Sequence, residues 1–366
     1  MIHIGINSSS AIFSSELDSL QILTDCPYID FCLLAGGSEL LSGRYYPYGN
    51  LVWVTELSSL IENYIAQDPD SNFVEVEFEA SYGSECQTGS AYVLYCDRSF
   101  GSLFTADWLA ENFLSPTRIF RLPPESYIAV RWYAVDRESR LFRVYATYAD
   151  TEGNVGTYSY AHSGNGQVVH GNNVESEFIV LRDVADKIKA AHKLTDVTLL
   201  SVTIVCCKRS ATYYIDPSLS SVRPYYYTNC FNVIEQLWLP AITTEKIKAE
   251  RSVASIGQTA QFYDCTTSKE YEVQSGPLTS DECVQVEQML TSPNVRTPGG
   301  SDAAIVETDF MAIEPILITD MTCELSDTDE KPNSVKFTWR YSGNRPKVAL
   351  PSSPGIFDFH YNTVFS

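Results

Sequence analysis

Positive charge is scarce in this chain of 366 residues. Its 25 lysine and arginine residues stand against 46 aspartate and glutamate residues, so the formal net charge is −21. Proteins that bind nucleic acids or anionic membranes need clustered basic side chains. We therefore expect no sequence-specific binding of nucleic acid and no membrane partner.

Signals for export and for membrane insertion are also missing. The first residues contain no basic stretch and no small-residue cleavage site, both of which a signal peptide would have. No apolar run approaches the ~18 residues that span a bilayer. We expect a protein that is made in the cytoplasm without a signal peptide.

The patterns of known catalytic and metal sites are absent too. The five histidines form no paired ligand spacing, and the ten cysteines form no Cys-x-x-Cys pair. Neither a phosphate-binding glycine loop nor a Gly-x-Ser-x-Gly motif occurs in the required context. Because no export signal is present, we predict reduced, buried thiols rather than a disulfide framework. We also predict no catalytic residues, no cofactor and no metal, and therefore a protein that is not an enzyme.

Residues that favour β-strands, by contrast, are plentiful. Aromatic residues make up 12% of the chain, with 23 tyrosines and 17 phenylalanines, and these residues favour sheets. The clearest strand lies in residues 333–343, where Val335, Phe337, Trp339 and Tyr341 share one face. A period of two is typical of a half-buried antiparallel strand. We predict a mainly β fold with a few short helices, of the α+β class.

The C-terminal part contains further predicted strands. Residues 225–239 and 246–254 are each predicted to form one strand, and 262–263 and 270–273 a hairpin pair around 265–269. Only 19% of all residues are charged. Low charge together with many tyrosines, which give large contact areas at low entropic cost, is typical of proteins that assemble.

Four helices are predicted, near residues 55–65, 105–114, 182–193 and 279–290. The last begins with Thr279-Ser280-Asp281-Glu282, which has the form of a capping box. A turn-rich segment from Asp216 to Pro224 is the best linker. It predicts an N-terminal β-rich domain over 1–222 and a C-terminal β domain over 223–346. Residues 347–366 lose all periodicity and are predicted to form an irregular tail.

A row of carboxylates is the first candidate functional feature. In residues 73–80, Glu75, Glu77 and Glu79 alternate with apolar residues, so that one strand face is acidic. One interpretation is a solvated face that also protects a sheet edge from pairing. Another is a cation site or an acidic lumen wall that repels phosphate.

The aromatic tail is the second candidate. Its side chains Phe357, Phe359, Tyr361 and Phe365 would be costly to leave in water. We interpret them as assembly contacts, which dock either on their own domain or on a neighbouring subunit.

A series of turn and packing motifs runs from Asn229 to Arg345. In chain order they are Asn229-Cys230-Phe231-Asn232, Thr243-Thr244-Glu245, Glu250-Arg251-Ser252, Tyr271-Glu272-Val273, Ser275-Gly276-Pro277-Leu278-Thr279, Leu290-Thr291-Ser292-Pro293-Asn294-Val295, Ile318-Thr319-Asp320 and Phe337-Thr338-Trp339-Arg340-Tyr341. With these motifs about a third of the chain resembles the tail-tip or baseplate structural proteins of tailed bacteriophages and of prophages of gut anaerobes. The N-terminal half matches more loosely, through Tyr46-Pro47-Tyr48-Gly49-Asn50 and Phe113-Leu114-Ser115-Pro116.

The resemblance implies a fold and a role. The fold would consist of tail-tube-like antiparallel β-sandwich or barrel domains with a flanking helix. The protein would be a virion component that forms a ring with itself, links the tail tube to distal tail proteins and lets DNA pass. A trimeric hub with two tube-like units and a hexameric distal tail protein with one such unit both remain open.

A receptor- or carbohydrate-binding virion module is the alternative function. Such proteins present exposed aromatic side chains to sugar faces. The candidates here are Tyr225, Tyr226 and Tyr227, together with Tyr45, Tyr46 and Tyr48. The competing interpretation is that these tyrosines pack in a core or an interface.

Overall fold

The protein is mainly β, with a few short helices packed on antiparallel sheets, as predicted. The computed structural model describes residues 2–5, 11–68, 71–99, 105–168, 173–256, 259–298, 313–324 and 332–343. These residues form three lobes, each with its own hydrophobic core. We call them the N-terminal, middle and C-terminal lobes.

The N-terminal lobe is a pair of sheets with one helix. Its elements are β1 (Ile2–Ile4), β2 (Ala11–Phe13), β3 (Ser19–Thr24), β4 (Ile29–Ala35), β5 (Ser38–Tyr45), β6 (Leu51–Thr55), α1 (Leu57–Ala66), β7 (Phe73–Tyr82) and β8 (Glu85–Leu94). One sheet has the order β1-β3-β6 and the other β2-β8-β7-β4-β5. Helix α1 buries Leu57, Ile61 and Ile65 against the core between them, which is the one-sided stripe expected of an amphipathic helix.

The middle lobe is built on a five-stranded sheet. Its elements are α2 (Thr105–Glu111), β9 (Ile119–Leu122), β10 (Tyr127–Ala134), β11 (Ser139–Asp150), β12 (Val155–Val168), β13 (Asn173–Val180), α3 (Leu181–His192), β14 (Val197–Cys206) and β15 (Arg209–Ile215). The sheet order is β12-β11-β14-β15-β9, and β10 pairs with β13 in a separate ribbon. Trp132 of the ribbon and Phe142 of the sheet meet edge to face in the core between the two layers.

The C-terminal lobe is a seven-stranded sheet covered by one helix. Its elements are β16 (Tyr225–Thr228), β17 (Ile234–Leu237), β18 (Ala241–Ile256), β19 (Thr259–Ser275), α4 (Ser280–Thr291), β20 (Val295–Pro298), β21 (Ile313–Glu324) and β22 (Ser334–Tyr341). The order is β17-β16-β20-β21-β22-β19-β18. Helix α4 begins with the predicted capping box, in which Glu282 N donates to Thr279 Oγ1 and Thr279 N donates to Glu282 Oε2.

The closing strand β22 confirms the period-two prediction. Val335, Phe337 and Trp339 are buried in the core of the C-terminal lobe, to which α4 also contributes, whereas Lys336 and Arg340 are exposed. Trp339 stacks on Tyr271 of the neighbouring strand with 4.2 Å between ring centroids. The alternation therefore records one face buried in the core and one face directed to solvent.

The four predicted helices are present, with bounds that differ by a few residues. The predicted helices near 55–65, 105–114, 182–193 and 279–290 lie at 57–66, 105–111, 181–192 and 280–291. The second helix ends early because the chain turns so that Leu114 N can donate to Arg131 O at 2.7 Å.

In the C-terminal lobe, the strand predicted over 225–239 is two short strands, β16 and β17, and the hairpin predicted within 262–273 is one continuous strand, β19. The residues described within the predicted 1–222 domain contain two hydrophobic cores.

We predict that Phe337→Ala, which removes a fully buried ring from the core of the C-terminal lobe, lowers the free energy of unfolding by about 3–5 kcal/mol. The matched control is Thr338→Val, which faces the other side of the same strand and keeps a β-branched residue. Urea denaturation of both variants tests the prediction, and equal losses would contradict the packing described for β22.

Candidate assembly surfaces and the junction of the lobes

A short loop of residues 229–233 joins the three lobes, and we call it the junction loop. Asn229 Oδ1 accepts hydrogen bonds from Phe231 N at 2.9 Å and Val233 N at 3.1 Å. Asn232 has a left-handed backbone with φ of 54°, a conformation that asparagine tolerates better than most residues. Local asparagine chemistry thus forms this tight turn.

The junction loop is hydrogen-bonded to the N-terminal lobe. Asp97 N donates to Cys230 O at 3.2 Å. Asn232 Nδ2 donates to Ser71 O at 2.9 Å, and the Asn72 side-chain amide donates back to Asn232 O. The junction loop and the N-terminal lobe therefore satisfy backbone groups of one another, as buried polar groups require.

The same loop is bonded to the other two lobes. Asn229 Nδ2 donates to Leu114 O at 3.0 Å at the start of the middle lobe. Cys230 N donates to Gln288 Oε1 of α4 at 2.8 Å. The three lobes thus meet at Asn229-Cys230-Phe231-Asn232, the first of the motifs on which the resemblance to phage tail proteins was based.

An aromatic cluster seals this junction. Phe231 lies 4.9 Å from Trp108 of α2 and 5.6 Å from Phe13 of β2, measured between ring centroids. Phe13 and Phe231 are fully buried, and rings in these tilted geometries attract one another beyond their burial. The lobes are therefore held together by a core of their own.

A buried charge fixes elements within the middle lobe. The guanidinium of Arg209 on β15 donates to Leu109 O at 2.8 Å and to Tyr133 O at 3.0 Å, and it also pairs with Glu138. A buried arginine that donates from each of its three guanidinium nitrogens fixes the positions of its partners. It holds α2 against the five-stranded sheet.

Glu235 on β17 lies beside a largely apolar cavity of about 80 Å³ between the middle and C-terminal lobes. Its carboxylate accepts a hydrogen bond from the Tyr227 hydroxyl at 2.7 Å. Burial raises the pKa of the Glu235 carboxyl, while hydrogen bonds from Ser115, Tyr227 and Asn229 oppose that rise. The protonated form of Glu235 is therefore more favoured in the folded chain than in the unfolded chain.

The predicted carboxylate row, Glu75, Glu77 and Glu79, is exposed on β7. The edge-protection interpretation was wrong, because β7 is the central strand of its sheet, between β8 and β4. Sequence reasoning missed Glu39 of β5. Leu34 of β4 pairs with Glu39 on one side and with Glu77 on the other, so Glu39 lies on the same face of the sheet as Glu77. The result is an acidic sheet face.

Two thiols lie on this acidic face. Cys32 pairs with Glu79 across the strands, and Cys86 Sγ donates to Glu79 Oε1 at 3.5 Å. Partial burial, followed by the charges of Glu39 and Glu79, raises the pKa of the Cys32 thiol. Within the described residues, no group of three or more His, Cys, Asp and Glu side chains has the spacing of a metal site.

The tyrosine candidates separate into two groups. Tyr225, Tyr226 and Tyr227 are buried in the core, so the packing interpretation is confirmed for them. Tyr46 and Tyr48 are 72% and 94% exposed. Tyr28 lies next to Tyr46, with Arg44 stacked 3.9 Å above its ring.

An outer sheet face in the middle lobe was not predicted. On β11, β14 and β15 the side chains that point away from the core are Leu141, Arg143, Tyr145, Thr147, Ser201, Thr203, Val205, Ser210, Thr212 and Tyr214. The register confirms a shared face, since Thr203 Oγ1 and Thr212 Oγ1 are 3.0 Å apart. We call it the neutral face, because it carries a single charged residue, Arg143, and no carboxylate.

The tail residues Phe357, Phe359, Tyr361 and Phe365 lie outside the described residues. In the described ranges no helix is both long and apolar enough to cross a membrane.

Comparison with known proteins identifies no family. No family model matches the chain, and no curated protein matches it. The crystal structure of CBD12 from CALX1.2 aligns over 56% of this chain and 77% of that chain, with 11% sequence identity and a TM-score of 0.19.

Glu235 gives a pH-dependent prediction. The pKa of the Glu235 carboxyl is raised on folding from a value near 4.5. Between its unfolded-state and folded-state pKa values, the folded wild type therefore binds more protons than the unfolded chain, and its stability falls as the pH rises through this range. We expect Glu235→Gln, which keeps an acceptor for Tyr227, to lack this loss.

The difference in unfolding free energy between Glu235→Gln and wild type should grow in favour of the variant as the pH rises above about 4.5. Denaturant titrations across pH 4–8 measure it, with exposed Glu77→Gln as the control. A difference that does not change with pH would contradict the buried environment described for Glu235.

Proposed function

We propose that this protein is a structural component of a phage tail tip or baseplate, where copies of the chain form a ring that links the tail tube to distal tail proteins and lets DNA pass. The neutral face carries the proposal. In a chain with a formal charge of −21, the outward side chains of three adjacent strands include no carboxylate, while Leu141, Tyr145 and Tyr214 are exposed there. A charge-depleted patch with aromatic side chains is typical of the centre of an interface.

The position of the neutral face suits assembly. It is the outer side of the sheet whose inner side holds the middle-lobe core, so binding a neighbour would require no rearrangement of that core. Lobes joined by a buried junction also present their surfaces in fixed relative positions, which reduces the entropic cost of association.

The acidic face supports the conduit part of the proposal. Glu39, Glu75, Glu77 and Glu79 form a patch of negative charge on a regular sheet. In a ring such a surface, turned toward the channel, would repel the phosphates of passing DNA. In this proposal the protein binds itself and other tail proteins, it is located in the virion, and it catalyses no reaction.

We expect purified protein to form trimers or hexamers with a central hole wide enough for duplex DNA. Light scattering gives the mass of the assembly, and negative-stain imaging of the largest species shows its shape. The substitution Tyr145→Glu on the neutral face should dissociate the ring, because it buries an unpaired carboxylate.

The control for that substitution is Glu77→Gln on the acidic face, which should leave the mass unchanged. A wild-type chain that stays monomeric at high concentration, or a channel lined by basic side chains, would contradict the proposal.

Receptor or carbohydrate binding is the second candidate, and the exposed pair Tyr46 and Tyr48 favours it. Exposed aromatic rings suit the apolar faces of sugars, and Tyr28 with Arg44 supports Tyr46 from one side. Loop tips carried on a rigid sheet are common binding positions.

This alternative predicts that Tyr46→Ala with Tyr48→Ala abolishes binding on a glycan array, because the stacking surface is lost. Tyr214→Ala, which removes an exposed tyrosine from another lobe, is the control and should bind as wild type. A wild-type protein that binds no glycan would remove this candidate.

A further inference from the structure

The hairpin of β18 and β19 extends well beyond its sheet. Strand β22 pairs with β19 only from Tyr271 to Gln274, whereas β18 and β19 continue to pair from the Lys246–Glu270 rung to the Ile256–Thr259 rung. We call residues 246–256 and 259–270 the arm. At ~3.3 Å per residue it projects roughly 35 Å from the sheet.

Among the described residues, the first part of the arm has no covering layer. Every residue in 242–251 is exposed, so neither face of that part of β18 is packed. In the described part of the chain, β18 is also the edge of its sheet. A two-stranded hairpin alone is at best marginally stable in water, and a long free edge is a template for pairing with another chain.

Apolar side chains project from the arm into solvent. Ile247 is 66% exposed, Val253 is 56% exposed and Phe262 is 64% exposed. Val253 lies directly opposite Phe262 across the strands, and the Arg251 guanidinium lies 5.3 Å from the Phe262 ring centre. This combination of aliphatic, aromatic and arginine side chains is the composition of an interface centre.

Charge indicates what the arm binds. It holds four of the 25 basic residues in the chain and three of the 46 acidic residues. Its three lysines are paired with glutamates of the same hairpin, and Arg251, beside Phe262, has no carboxylate partner among the described side chains. The arm therefore offers a cation next to its apolar side chains, while the remainder of the chain is strongly negative. Contact between two arms gains nothing from this difference, whereas contact between an arm and the body of another copy does.

We propose that the arm of one copy docks on the acidic body of a second copy of this chain. Such a contact joins two different surfaces and is therefore heterologous, and repeated heterologous contacts form a ring when the rotation between successive subunits closes. The inference rests on the proposed function, since it assigns to the arm the contact between successive subunits of that ring.

Photo-crosslinking tests the contact directly. Phe262 is replaced by benzoylphenylalanine in the full chain, and equal amounts of isotopically light and heavy protein are mixed and irradiated. We expect crosslinked peptides that join a light arm to a heavy body. Crosslinks within single chains only, or between two arms, would overturn the proposal.

A matched pair of variants tests whether the contact is needed for assembly. The arm variant combines Ile247→Ser, Val253→Ser and Phe262→Ser, and the control combines Leu23→Ser with Trp53→Ser, which are exposed in the N-terminal lobe. We expect the arm variant to have the monomer mass of 40.9 kDa while melting at the wild-type temperature, and the control to keep the wild-type mass.

The outcomes separate the two proposals. If the arm variant still forms wild-type rings, or if the control dissociates equally, the arm inference fails and the ring function stands. If wild type forms no ring while light-to-heavy crosslinks still join arm and body, the arm inference stands and the ring function fails.

Discussion

The fixed arrangement of three lobes depends on the junction loop. Its backbone and side-chain groups are hydrogen-bonded to Ser71 and Asp97 of one lobe, Leu114 of the second and Gln288 of the third. Phe231 then fills the apolar space between β2 and α2. Because a buried loop can be tolerated only when its polar groups are satisfied, these bonds and this packing require one another.

The junction allows a protein with three cores to present its surfaces together. The acidic face, the neutral face and the arm come from three different lobes, and each differs from the others in charge. Lobes joined by flexible linkers would move independently, which is the ordinary expectation for small polar interfaces. Here a shared aromatic core, together with the hydrogen bonds of the junction loop, links them into one body.

Local sequence patterns predicted those features that are decided by near neighbours. The alternation that ends at Tyr341 predicted β22, and the capping box at Thr279 predicted the start of α4. The fold class followed from the same patterns, since a mainly β chain with few helices is what such residues favour.

Features that depend on distant contacts were not predictable in this way. The carboxylate row was assigned to a solvated face, but the position of β7 inside its sheet depends on pairing with β4 and β8. The junction loop was identified only as a motif, because its partners lie up to 161 residues away in the chain. Tyr225, Tyr226 and Tyr227 were candidates for an exposed aromatic cluster, and their burial became visible only in three dimensions.

The arm is another case in which local patterns were insufficient. The sequence predicted a hairpin of two short strands, 262–263 and 270–273, whereas pairing along β18 extends one strand from Thr259 to Ser275. Because this strand is long, the arm projects beyond the sheet. A projecting arm, an acidic body and a neutral face together give the chain complementary surfaces for its own copies.

The most direct test of this account is electron cryomicroscopy of the assembled protein at a resolution that shows side chains. The account predicts a closed ring in which the neutral face is buried between subunits, the arm lies on the neighbouring body and Glu75, Glu77 and Glu79 face the central channel. A ring with these carboxylates on its outside and the neutral face in solvent would contradict it.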